Sequence, residues 1–550
     1  MKKHRILLLA LLVVTVCLFA GGKGEETAEP EVAVTSPTQP RHGGTLVCVL
    51  PDDPPTLATW LSSSFLPRMV TPQIVEGLFS HEPDLTPKPL LAEAWTVSND
   101  GLTWTFELRK GVKWHDGKLF TADDVVFSVE EVWLKHSPDT MSRWGPLGLS
   151  TAKVDDYTVV FNFEKAYAFA TNYLSSHFGP IVPKHLFEGT DVPTNPYNLK
   201  PVGTGPFKFG EYVKGSHITL NKNPDYWGKD DKGKQLPYLD RLVFRVMPDV
   251  TARLLAMEKG EVDYQSYPGF PAEAAMKLQE SGLIIGAEPI SGLARIQRVF
   301  PNHRNVPLSD VRVRRALYHA MNRKDILEKA YYGFGEVSIG PLHQGSPLYK
   351  DLINYNVPKY EYDVDKANQL LDEAGYKKGT DGIRFKLTAV LNRAQATDIT
   401  VAELLRDYFK AVGVELEIQQ VDEATRQSLV AKRQYDLTMW GPITSGPSPD
   451  YLKFQWHSNY KDTPNPFANP IGLSNSRVDW ILDNAGTVFD TAKRIELWKE
   501  FQKIMVEEAA EFWLYDALIL SAYNPDFEGL PQMVWGHYDA LTKVWWKKAE

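Results

Sequence analysis

The chain has 550 residues, of which 43% are hydrophobic and 23% charged, with a formal net charge of −9. A mildly acidic chain without a basic stripe is not a nucleic-acid binder. Its length exceeds what one hydrophobic core organises, so at least two lobes are expected.

Met1-Lys2-Lys3-His4-Arg5 is a basic start, and Ile6 to Ala20 is an uninterrupted run of apolar or small residues. Fifteen residues are too few to cross a bilayer comfortably, so residues 1–22 read as a secretory signal. Two processing routes stay open. Ala20-Gly21-Gly22 offers a small-x-small cleavage pattern, whereas Cys17 offers a lipid anchor behind Val14-Thr15-Val16, which departs from the usual lipobox. Cleavage after residue 22 removes Lys2, Lys3 and Arg5 and no acid, so the formal charge moves from −9 to −12. Residues 23–42 are polar, Pro-bearing and without apolar period, the composition of a disordered tether. Cys48, flanked by Val47 and Val49 on an expected strand, then lacks an internal partner and reads as a buried structural thiol.

The body begins with a strand at Gly43–Val49 and a turn-rich Asp52-Asp53-Pro54-Pro55. Asn99-Asp100-Gly101 predicts a tight turn, and Trp104, Phe106 and Leu108 alternate with polar residues as in a half-buried strand. His115-Asp116-Gly117 turns the chain again. Thr121 and Asp124 form a capping-box pattern ahead of Val125, Val126, Phe127 and Val129. A hairpin strand is expected at Val159–Phe163. Pro201-Val202-Gly203-Thr204-Gly205-Pro206-Phe207 and Asn223-Pro224-Asp225-Tyr226-Trp227-Gly228 follow, then a strand at Leu239–Phe244. Beyond residue 296 helices and strands alternate. Ser309 is the expected cap of a helix through Arg312 and Leu317, and a second helix spans 363–374 with Gly375 at its left-handed end. A strand at 383–389, a helix from 399 to Gly413 and a strand at 414–418 make a βαβ unit, which implies a parallel or mixed sheet.

These motifs, in this order over residues 43 to 545, closely resemble the family 5 solute-binding proteins of ATP-binding cassette importers, a class of peptide, nickel and oligosaccharide receptors. The resemblance implies an α/β, periplasmic-binding-protein-like fold. It has two lobes with an extra domain in the first, a ligand cleft between them, and two interlobe crossovers near 290–297 and 513–522. The implied division is 43–78 for the first part of lobe I, 79–199 for its extra domain, 200–295 for its second part, 296–515 for lobe II, and 516–550 for a return to lobe I. It also implies a receptor outside the cytoplasm, periplasmic or extracellular. Such a receptor is monomeric, captures a peptide or oligosaccharide by closing about a hinge, and hands it to permease subunits.

No cofactor, metal site or catalytic residue is expected. There is no G-x-S-x-G, H-E-x-x-H, Walker A or C-x-x-C sequence, and the thirteen histidines lack ligand spacing. Asp123-Asp124 and Glu507-Glu508 are neighbours about 100° apart on a helix, which cannot flank one bond. His115-Asp116 fits a hairpin turn better than half of a triad. A secreted hydrolase, which would need a carboxylate pair or nucleophile–base contact in the cleft, and a purely sensory binding protein are the alternatives. With fifteen Trp and twenty-four Tyr, the chain is rich in aromatic surface, most of it core. The resemblance implies cleft positions at Trp440 and Gly441, Tyr451 and Trp456 beyond them, Trp60 from the first lobe, and Asn302 in Phe300-Pro301-Asn302. Peptide-binding members place an aspartate three residues after that tryptophan, on the peptide ammonium. Here that position is Ile443, with Asp450 as a displaced substitute, which makes an uncharged oligosaccharide a close rival to a peptide, the leading reading.

Overall fold

The computed structural model describes residues 39–82, 85–266, 269–288, 295–342, 357–440, 443–444, 453–530 and 541–548. Signal, anchor and most of the tether lie outside them. Two seven-stranded sheets dominate the body. The first runs, edge to edge, through Ile284–Glu288, Ile519–Tyr523, Tyr264–Gln265, Thr45–Leu50, Arg241–Val246, His217–Lys222 and Phe207–Val213. Thr45–Leu50 pairs in parallel with Arg241–Val246. Leu46, Cys48 and Leu50 enter one hydrophobic core and Val49 the other, the period-two alternation of a strand covered on both faces. The Cys48 thiol is fully buried and burial pushes its pKa up, as a structural cysteine requires.

The second sheet orders Gly335–Val337, Phe512–Ala517, Arg295–Pro301, Leu437–Thr438, Phe385–Asn392 and Val414–Val421, with Ile443–Thr444 also on Arg295–Pro301. Phe385–Asn392 and Val414–Val421 are parallel and joined by helix Ala396–Ala411, so the βαβ unit is present and the sheet is mixed. Gly413, at φ +78°, ends that unit's helical arm where an L side chain would be strained. The helix expected to start at Ser309 is capped one residue later. Asp310 accepts from the Arg312 amide at 2.8 Å and the helix spans Val311–Ala320; aspartate and serine cap about equally well, so the two adjacent candidates were not separable by residue type.

A separate four-stranded sheet takes Ala92–Val97, Thr103–Leu108, Thr158–Asn162 and Ser150–Asp155 in that order. Trp104, Phe106 and Leu108 are buried on it as their alternation predicts. The capping box at helix Ala122–Phe127 is formed, with the Thr121 amide donating to Asp124 Oδ2 at 3.0 Å. His115 fastens its turn to the Gly203–Gly205 segment. Its Nδ1 accepts from the Gly203 amide at 3.3 Å and its Nε2 lies 2.9 Å from the Gly205 carbonyl.

Three fingerprint segments meet at one buried carboxylate. Glu76 accepts from Thr204 Oγ1 at 2.8 Å, Tyr226 O–H at 2.8 Å and Trp227 Nε1 at 3.0 Å. Arg109 lies over the Trp227 ring at 4.2 Å. Burial raises the Glu76 pKa to about 7 against the pull of those donors and Arg109.

The chain passes between the two sheets twice. It leaves the first at Glu288 and enters the second at Arg295, and it returns from Ala517 to Ile519 across Leu518. The return lies inside the interval expected from the sequence. C-terminal residues then rejoin the first sheet's surroundings: Trp545–Trp546 pair with Phe527–Glu528, and the Leu541 amide donates to Gln73 Oε1 at 2.9 Å.

Candidate functional site

Leu518, alone between strands of different sheets, is held from the second sheet's side. Tyr331 O–H donates to its carbonyl at 2.8 Å, and its amide donates to the Phe334 carbonyl at 3.2 Å. Both come from the end of helix Arg323–Tyr331, so that helix fixes where the crossing bends. Strands Arg295–Pro301 and Phe512–Ala517 pair antiparallel, which brings Gln297 opposite Tyr515 next to both crossovers.

Gln297 and Tyr515 are fully buried. Gln297 Nε2 donates to Asp398 Oδ1 at 2.8 Å and lies 3.8 Å from the Met439 sulfur. Asp398 comes from the first turn of helix Ala396–Ala411, where the helix dipole favours an anion. Tyr515 stacks on Tyr331 with centroids 5.6 Å apart. Its phenol is held well above the usual range by burial, with Tyr331 and Asp398 adding to the shift. Gln297 Oε1 and the Tyr515 hydroxyl have no hydrogen-bond partner among the described residues. Leaving such a group buried and unpaired costs about 1–3 kcal/mol. The two groups are strand-register partners beside the crossovers. No sequence motif marks Gln297, Asp398 or Tyr515; the one signal was a glutamine inside the otherwise apolar strand through Val299 and Phe300.

Trp440 follows strand Leu437–Thr438 and is half-buried. Its ring meets Phe300 edge-on at 4.6 Å and Phe467 at 5.4 Å, and the Arg426 guanidinium lies 5.0 Å from it. Its indole N–H is buried without a partner among the described residues. Trp440 therefore remains a candidate. Gly441 and Tyr451 lie outside the described residues, as does Asp450. Ile443, at the position where a carboxylate was sought, bridges Ile296 through the backbone.

Three expected cleft residues are occupied elsewhere. Trp456 is wholly buried and its indole donates to Glu511 Oε1 at 2.8 Å. Glu511 pairs with Arg298 at 3.0 Å, and Arg298 also donates to Gln455 Oε1 at 2.7 Å. Burial pushes the Glu511 carboxyl up and the Arg298 guanidinium down, while each group's charge opposes the other's shift. Trp456 thus flanks a buried ion pair and cannot turn to a ligand without taking its hydrogen bond from Glu511 Oε1. Trp60 is 2% exposed, donates to Asn198 Oδ1 at 3.2 Å and packs edge-on against Phe187. Asn302 is fully buried and its amide donates to the Tyr435 carbonyl at 3.0 Å and the Arg433 carbonyl at 3.2 Å. It fastens a strand end.

A cavity of about 430 Å³ lies apart from this edge, between Asn322, Arg323, Ser338 and the Val357–Tyr362 segment of the second lobe. Among the described residues no group of His, Cys, Asp and Glu could hold a metal ion.

Residues 86–463 match the model of the bacterial extracellular solute-binding proteins, family 5. The oligopeptide-binding protein AppA of Bacillus subtilis is 27% identical over 94% of this chain and 94% of its own length. The dipeptide-binding protein of Escherichia coli is 31% identical over 83% of this chain and 84% of its own. Among solved structures, the ABC transporter substrate binding protein CtaP of Listeria monocytogenes superposes with a TM-score of 0.79 at 25% identity, covering 92% of this chain and all of that one. Bacillus subtilis AppA in complex with a nonapeptide superposes with a TM-score of 0.71 at 26% identity, over 93% of this chain and all of that one. Two sheets joined by two chain crossings accompany this match, and this chain belongs to the bacterial extracellular solute-binding proteins of family 5.

Proposed function

We propose that the chain is the receptor of an ATP-binding cassette importer, which captures a peptide-like solute outside the cytoplasm and passes it to the permease. The observation that carries this reading is the pair of sheets linked at only two points, in a chain that aligns along nearly its whole length with peptide receptors. A ligand touching both lobes favours the closed form by its differential affinity, and no chemical step is needed. Residues 1–22 serve as export signal, with Cys17 as the alternative anchor.

A peptide offers backbone donors and acceptors at every residue, which suits the unpaired Gln297 carbonyl and Tyr515 hydroxyl. An oligosaccharide would depend on aromatic stacking. With Trp456 and Trp60 engaged in hydrogen bonds of their own, stacking falls to Trp440, and the peptide reading gains. Calorimetric titration of a peptide panel against an oligosaccharide panel tests the choice: peptide binding supports it, and a saccharide bound with no peptide response overturns it. Trp440→Ala is expected to raise Kd about tenfold, the equivalent of about 1.4 kcal/mol, with little change in thermal midpoint.

A further inference from the structure

The four-stranded sheet of the first lobe touches the second lobe again, apart from the crossovers. The second-lobe segment Ala485–Asp490 links helix Ser476–Asn484 to helix Thr491–Glu507. Ile481, Leu482, Ala485, Trp498 and Phe501 around it belong to the second lobe's core, yet Phe489 packs against the first lobe's core. Its ring sits 6.1 Å from that of Trp104. It lies directly over Gly101, at φ +73° in the Asn99-Asp100-Gly101 turn, where an added Cβ would come within 2.3 Å of the ring. The glycine that makes the turn also makes the slot.

Two further contacts surround this one. The Ala168 amide donates to the Gly486 carbonyl at 2.8 Å. The Arg494 guanidinium lies 5.2 Å from the Phe169 ring centroid and donates to the carbonyls of Val488 at 2.6 Å and Phe489 at 3.2 Å. One arginine therefore shapes the loop that carries Phe489 and reaches the opposite lobe. These contacts join the lobes directly, residue to residue.

We propose that Phe489, seated over Gly101 and steadied by Arg494, is a latch that holds the lobes together in the absence of ligand and so sets how tightly the receptor retains its solute. The affinity part rests on the receptor reading above; the closure part does not. Apparent affinity is the intrinsic affinity multiplied by the fraction already closed, so a latch raises affinity without touching the guest. An aromatic contact of this kind, lost from the closed state alone, shifts that balance by about tenfold.

The test attaches probes at Lys118→Cys and Lys377→Cys, both exposed and on opposite lobes, while buried Cys48 stays unlabelled. Distances between them are measured without ligand by double electron–electron resonance. The wild type is expected to show mainly the closed distance, Phe489→Ala a longer one, and Phe489→Leu an intermediate one, with unchanged thermal midpoints. Arg494→Ala is a second route to the same opening. Peptide titration of Phe489→Ala should then show Kd raised about twofold through faster release, because a tenfold shift takes a mainly closed population to about half closed. Identical ligand-free distances in wild type and both variants would overturn the latch while leaving the receptor reading intact. A wild type already at the open distance would do the same.

Discussion

The polar groups around Glu76 and those around Gln297 are buried to the same degree and arranged in opposite ways. Glu76 meets three donors and a nearby arginine, and every one of those partners comes from a segment with a recognisable turn motif. Gln297 and Tyr515 face each other beside the crossovers with an acceptor and a hydroxyl left over. A satisfied network rigidifies and specifies a core, whereas an unsatisfied one stores a cost that a guest can remove. The first arrangement is complete within the protein, and the second is the one assigned to binding in the proposed function.

The largest effect that would sharpen this contrast is acid sensitivity. His81 and His115 have pKa values lowered to about 4 and His177 to about 3, all by burial, and all three lie in the first lobe; in the second, His303 is lowered to about 3. As pH falls below 6.5 the unfolded chain takes up protons that the folded chain refuses, so stability falls down to about pH 4. Three protons in the first lobe amount to roughly 4 kcal/mol per pH unit. Glu76 works the other way, because its folded pKa of about 7 exceeds the unfolded value of 4.5 and it contributes stability as pH falls through that window. Thermal midpoints should drop steeply from pH 6.5 to 5, and Glu76→Gln should make the drop steeper. A flat profile over that range would break the assignment of neutral buried histidines.

Next in size is Glu76→Ala, which strands the Thr204, Tyr226 and Trp227 donors. Denaturant unfolding should show a loss of about 4 kcal/mol, with ligand affinity in the surviving folded protein unchanged. Loss of affinity without loss of stability would reverse the roles assigned to the two regions. Smallest is Tyr515→Phe. Because the hydroxyl has no protein partner, stability should move by less than about 0.5 kcal/mol, while Kd for the solute rises several-fold. A destabilisation of more than 1 kcal/mol, roughly the net worth of a made hydrogen bond, would mean that the hydroxyl serves the fold.

Much of the scaffold was legible because its signals are local. Alternation at Trp104, Phe106 and Leu108, the capping box at Thr121 and Asp124, and Gly413 at a helix end each depend on residues a few positions apart. Even the missed cap, Asp310 in place of Ser309, was an error of one residue between two adjacent acceptors. The candidate site was read less well. Trp456, Trp60 and Asn302 stood near expected strand ends, but each is committed to a partner far away in sequence: Glu511, Asn198 and Tyr435. A tryptophan bound to a buried carboxylate and one facing a ligand are written with the same letter.

By itself, then, the sequence determined where strands, turns and helix ends fall and which family the order of motifs resembles, since backbone preferences and hydrophobic period act within a few residues. Only the tertiary structure decided which buried polar atoms find partners, which tryptophans are spoken for, and that Phe489 crosses from one lobe to the other. Those outcomes depend on contacts between segments up to hundreds of residues apart, where a hydrogen bond is gained or lost over a few tenths of an ångström.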